Sequence, residues 1–125
     1  MRKQYHFRPG PAGLQAWDVD RLVSLTKNLV PELVPIAEIR ELDEAYWGGS
    51  MTCRQVAGHA RLIQEADPSF PVILSSDGRI MDGMHRVLKA ILQGVSHVPA
   101  VRFSADPAPD YVGVDPKDLP YEEGS

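Results

Sequence analysis

Cysteine is nearly missing: Cys53 is the only one in 125 residues. A single thiol excludes an internal disulfide framework and any Cys-x-x-Cys zinc site. It suits a reducing, cytoplasmic setting. Long apolar runs are missing too. The longest, such as Pro71-Val72-Ile73-Leu74, reach four or five residues, far below the ~20 that span a bilayer. The basic stretch from Met1 to Gly10 has no apolar run behind it, so no secretory signal is expected. The third absence is an excess of positive charge. Thirteen Lys and Arg stand against seventeen Asp and Glu, for a formal charge of −4. A protein that holds nucleic acid by neutralising phosphates is usually basic, which argues against that class. No H-x-x-H or H-E-x-x-H spacing occurs, which argues against a transition-metal site. Internal repeats and low-complexity runs are also absent.

What is present reads as one α/β (α+β) domain by length. It has an N-terminal arm and helix (1–32), a core (33–103) and an acidic extended tail (104–125). Residues 1–13 carry Pro9, Gly10, Pro11 and Gly13 and are expected to form a loop. Asp18 to Leu29 is expected to be a helix, capped by Asp18, with Val19, Leu22, Leu25 and Leu29 on one face. Leu33 to Ile39 alternates like a short edge strand, since Pro35 lacks a donor. Arg40 to Ser50 is an acidic loop in which Tyr46 and Trp47 precede Gly48 and Gly49. Thr52 to Ala66 is a helix opened by a Thr52/Gln55 capping box, with Cys53, Val56, Ala57, Ala60 and Ile63 as one apolar stripe. Pro71 to Leu74, the Asp77-Gly78 turn and Arg79 to Met81 form a hairpin. Asp82 caps a third helix that runs to Gln93, with Met84, Val87, Leu88 and Ile91 on its inner face. Gly94 terminates it. His97 to Phe103 is a last strand, placed at a sheet edge by Pro99. The tail holds six acids against Lys117, with Tyr111, Val112, Val114, Leu119 and Tyr121 available to pin it to the body.

The chemistry concentrates at Asp82-Gly83-Met84-His85-Arg86. A hairpin delivers the chain into a helix start, where unpaired N–H groups and a partial positive charge favour an anion. Gly83 presents no side chain there, and Arg86 offers a bidentate grip on phosphate. From Arg79 to Arg102 four basic residues face one acid, a local excess in an acidic chain. The expected ligand is a phosphate group.

The order of these segments resembles the core of the ParB/sulfiredoxin-like superfamily. The resemblance rests on Leu33-Val34-Pro35-Ile36, Pro71-Val72-Ile73-Leu74, Asp77-Gly78-Arg79-Ile80-Met81-Asp82-Gly83-Met84-His85-Arg86, Ala90 and Val98-Pro99-Ala100-Val101. It covers roughly residues 33–103, and the whole chain looks like small bacterial ParB-like proteins. It implies a compact fold with a small mixed sheet and about three helices. It also implies a nucleotide, ATP or CTP with Mg, whose phosphates touch Gly83, His85 and Arg86, with Asp82 capping the helix or near the metal. Sulfiredoxins carry a reactive cysteine where this chain has Met84, and a thioether cannot replace it. Partition proteins carry a helix-turn-helix domain after the core, which is not seen here, so operator-specific DNA binding is not expected. Free-serine kinase relatives use a glutamate near the first strand; Glu38, Glu41, Asp43 and Glu44 are the candidates here.

Three readings follow. The first is a nucleotide-binding protein, acting as a Mg-dependent phosphotransferase or nucleotide hydrolase, with a carboxylate among Glu41, Asp43 and Glu44 orienting the attacking group. The second is a non-catalytic interaction module, a homo-oligomer included, that uses the acidic tail. The third, disfavoured by charge, is a nuclease.

Overall fold

A computed structural model describes residues 3–121. Glu122 and Glu123, counted with the acidic tail above, lie outside the described residues. The chain is mixed α/β, with two small sheets and three α-helices among those residues. No helix among them is long and apolar enough to cross a membrane.

The N-terminal segment is not a loop. β1 (Tyr5–Gly10) and β2 (Gly13–Asp18) form an antiparallel hairpin whose register closes at Gly10 opposite Gly13. The Pro/Gly cluster is its turn. Gly13 sits at φ +123°, and a β-carbon there would lie 3.1 Å from the Gly113 backbone. Pro9 is tolerated because β1 is an edge strand. Asp18 caps α1 (Val19–Thr26), accepting from the Asp20 amide at 2.9 Å. This helix stops three residues short of the expected Leu29. It buries Leu22 and Thr26, while Leu25 and Leu29 stay exposed.

The core sheet has the order β3-β6-β4-β5. Its strands are β3 (Glu32–Pro35), β4 (Val72–Leu74), β5 (Ile80–Asp82) and β6 (His97–Arg102). β4 and β6 are parallel and the other pairs antiparallel, which makes the sheet mixed. Beyond β3 the chain leaves the sheet in two 3-10 turns, Ile36–Glu38 and Arg40–Asp43. β6 is an interior strand, contrary to the expectation from Pro99. The proline fits because pairing with β4 begins only at Ala100, so Pro99 has β3 alone beside it.

Side chains alternate across this sheet. Val72, Leu74, Ile80, Val98 and Ala100 face one layer, made by Ile36, Ile39 and the Met84, Val87 and Ala90 side of α3 (Met84–Leu92). Ile73, Met81 and Val101 face the other, where Trp17 and Leu22 cover them. Burial on both faces explains why Val72-Ile73-Leu74 is apolar without alternation.

Two further expectations change. Asp82 is not the cap of α3: it ends β5, and Gly83 holds the N-cap position with φ +113°. α2 (Cys53–Glu65) has its capping box, yet none of its residues is buried and Val56 is 53% exposed. The reason is that it packs on one side only, against α3, with Trp47 of the preceding loop stacked on His59.

The tail is a belt. Its strand β7 (Tyr111–Val112) extends the hairpin sheet beside β2. Trp17 Nε1 donates to the Pro107 carbonyl at 2.8 Å, and Asp110 accepts from the Asp18 amide at 2.8 Å. Arg21 pairs with Asp110 at 3.1 Å, and Leu119 is buried.

Candidate functional site

The site is built where β5 turns into α3. The Asp77-Gly78 turn closes with the Gly78 amide on the Ser75 carbonyl at 3.0 Å and feeds β5. At Gly83 the backbone enters the left-handed half of φ space, which a residue with a β-carbon rarely adopts. The Arg86 and Val87 amides both bond the Gly83 carbonyl at 3.1 Å. The Met84 and His85 amides precede that ladder, as the first amides of any helix do. Met84 has its side chain in the core, so it can offer only backbone here.

Arg86 turns back across Gly83. It donates to Asp82 Oδ2 at 2.7 Å and to the Pro71 carbonyl at 3.1 Å. Burial pushes the Asp82 carboxyl above its ordinary range, against the pull of Arg86. The pair therefore straddles the glycine, with each charge compensated by the other.

Two hollows flank this junction. One of about 290 Å³ has Tyr5, Phe7, Tyr46 and Trp47 in its walls. The other, of about 430 Å³, has more charged residues in its walls, with Asp20, Glu65, Asp67 and Arg86 around Leu62 and Phe70. Asp82, Gly83 and His85 line both.

Over the junction sits an aromatic stack. His59 Nδ1 lies 2.9 Å from His85 Nε2. Trp47 stacks on both imidazoles, 4.0 Å from the His59 ring centre and 4.9 Å from that of His85. Burial, then His59, holds His85 below the ordinary imidazole range. Tyr46 meets Trp47 edge-on at 5.4 Å. Its hydroxyl is pushed up to about 12 by burial, with the Glu41 and Asp82 charges adding.

Compared with family models, curated proteins and solved structures, the chain matches none of them. Its geometry alone carries the reading of the site.

The three loop carboxylates part company. Glu41 is 2% exposed, and one of its oxygens accepts from the Ile80 amide, tying the loop to β5. Its other oxygen, Oε1, is buried with no partner among the described residues. Glu44 pairs with Arg79 at 2.6 Å on the surface. Asp43 is exposed. None of the three lines either hollow. Among the described residues no group of three or more His, Cys, Asp and Glu is arranged to hold a metal ion. A magnesium ion needs less, since substrate phosphates and water fill most of its sphere; Asp82 is the carboxylate both hollows share.

Sequence reasoning missed two elements of the site. The Asp82–Arg86 pair has the i, i+4 spacing of a helix ion pair, a signal the capping assignment hid. His59 had no such signal, because it is 26 residues from His85.

Proposed function

We propose that this chain is a nucleotide-binding protein of the ParB/sulfiredoxin-like kind, working in the cytoplasm. The phosphates would lie on the Met84 and His85 amides beside Gly83, and the base would enter the aromatic hollow of Tyr46, Trp47 and Phe7. The observation that carries this is the Asp82–Arg86 pair across Gly83. It holds an anion partner and a cation partner ready at one helix start. A magnesium nucleotide supplies both opposite charges: Arg86 would turn to a phosphate and Asp82 to the metal. Bound Mg would neutralise phosphate charge. A phosphotransferase or hydrolase step extends this reading, and would require the 41–44 loop to bring Asp43 or Glu44 to the hollows, which neither lines.

Calorimetric titration with ATP, CTP and GTP, with and without Mg, tests it. Sub-millimolar binding that needs Mg and weakens at least tenfold in Arg86→Gln is expected. No binding at millimolar nucleotide, or binding indifferent to Arg86→Gln in a variant with native circular dichroism, overturns it. Release of inorganic phosphate under the same conditions tests the catalytic extension.

The second reading, an interaction module, draws on the exposed apolar residues Val56, Leu62 and Phe70. It predicts self-association, read by light scattering, that a Val56→Glu/Leu62→Glu variant abolishes. Its original agent, the tail, is folded onto the hairpin as far as Tyr121.

A further inference from the structure

Helix α2 is fastened at two points. In its middle is the His59–His85 hydrogen bond. At its end, Lys89 Nζ donates to the Gln64 and Ala66 carbonyls, each at 2.8 Å. None of its residues is buried, so little apolar burial holds it down. Gly48 and Gly49 precede it, and a β-carbon on either would meet nothing within 4 Å. Leu62 and Glu65 form a wall of the larger hollow, and Trp47, stacked on His59, forms a wall of the smaller. Lifting α2 would therefore open both.

The fastening in the middle depends on protons. A bond between two imidazoles needs one N–H and one lone pair. The neutral pair has them. A first proton leaves them, because an imidazolium donates to a neutral ring, and the Trp47 face favours that cation. A second proton removes the lone pair and sets two like charges 2.9 Å apart. Only the second of these protons breaks the bond.

The groups around His85 do not cancel this. The titratable and charged groups that share its hollows are Tyr5 and His6 of β1, Asp20 of α1, Tyr46 of the loop, Asp82 and Arg86 of its own turn, Glu65 at the end of α2 and Asp67 just beyond it. Burial and His59 dominate its titration, and both disfavour the charge. On His59 the charged groups of its own helix are Arg54, Arg61 and Glu65, and Arg61 and Glu65 pair with each other at 3.6 Å.

We propose that α2 is a lid over the cleft, latched to α3 by the His59–His85 bond beneath Trp47 and released when both imidazoles are protonated. The latch concerns regulation of the cleft read above as a nucleotide site, but it stands on contacts that need no ligand. Hydrogen exchange of the full chain without nucleotide tests it, with rates corrected for intrinsic pH dependence. In a His6→Gln background, which removes the global loss of stability that His6 causes on acidification, amides of α2 are expected to lose protection by about tenfold between about pH 7.5 and about pH 4.5, because the second proton enters a buried pair beside a like charge, while α3 holds. His59→Asn keeps a donor and an acceptor but cannot be charged, and its α2 protection is expected to be independent of pH. Should His59→Asn not fold, His85→Gln makes the same test from the other side. The proposal is overturned if α2 and α3 lose protection together in the His6→Gln background, or if the uncharged variant made in it responds to pH as that background does. Failure of nucleotide binding leaves this result standing, and the reverse holds too.

Discussion

Arg86 lies over Gly83 so closely that a β-carbon on Gly83 would come within 2.9 Å of its guanidinium. Two penalties meet at this glycine: the positive φ and the crowding by Arg86. Gly83→Ala is expected to cost about 1–3 kcal/mol, the usual range for a residue forced into such a backbone region. Urea unfolding should show a lower midpoint at an unchanged slope. Arg86→Ala in the same chain removes the crowding but not the φ penalty. The double variant should therefore lose less than the sum of the two single ones, and a strictly additive result would show that the side chain exerts no pressure on the glycine.

Glu41 separates a structural from a chemical role among the loop acids. Its carboxylate accepts from the Ile80 amide inside the protein. Glu41→Ala leaves that N–H without a partner and should destabilise by about 1–3 kcal/mol. Glu41→Gln keeps the acceptor and removes a buried charge, so it should stay much nearer the parent. If Glu41→Gln binds nucleotide normally but abolishes phosphate release, Glu41 is more than a tie between loop and strand.

His6 gives stability a pH dependence of known sign. Burial, with Arg8 adding, lowers its pKa to about 4. The unfolded chain, with an ordinary value of 6.5, binds more protons between those two points. Stability from this group is therefore complete above pH 6.5 and falls as the pH drops towards 4. The loss is about 3 kcal/mol over that window. Denaturant midpoints measured from neutral pH downward should follow this curve, and His6→Gln should flatten it.

Leu119 is buried far out along the tail. Leu119→Ala is expected to cost about 2–4 kcal/mol, as for other large-to-small changes in a packed interior. Proteolysis should then begin in the tail beyond β7, because β7 and the Pro107 contact with Trp17 still hold the part before it. An unchanged midpoint would mean that the belt adds nothing to the hairpin it crosses.

The core was legible in the sequence where local rules act alone. The Thr52/Gln55 box, the Asp77-Gly78 turn, the Asp18 cap and the Gly94 terminator each depend on residues within a few positions, and each is in place. The errors lie where tertiary partners decide. Pro9, Gly10, Pro11 and Gly13 signal a turn, but only Trp17 and Leu22 seated on Ile73, Met81 and Val101 make a hairpin worth forming there. The apolar stripe of α2 has the right period for a core helix, yet periodicity does not say whether a partner layer exists. At the site, the positions of Gly83 and Arg86 were readable from spacing. The turn of Arg86 towards Asp82, the burial of Glu41 and the meeting of His59 with His85 come from contacts distant in sequence or hidden by a competing assignment.

Adjacent residues of β4 belong to different interiors, Ile73 to the Trp17 side and Leu74 to the α3 side. Isotope-labelled methyls at these two neighbours would act as separate reporters a single peptide unit apart. A perturbation confined to the hairpin and tail should move the signal of Ile73 first, and one confined to the cleft helix that of Leu74. Simultaneous movement of both would mean that the central sheet passes strain straight through its thickness.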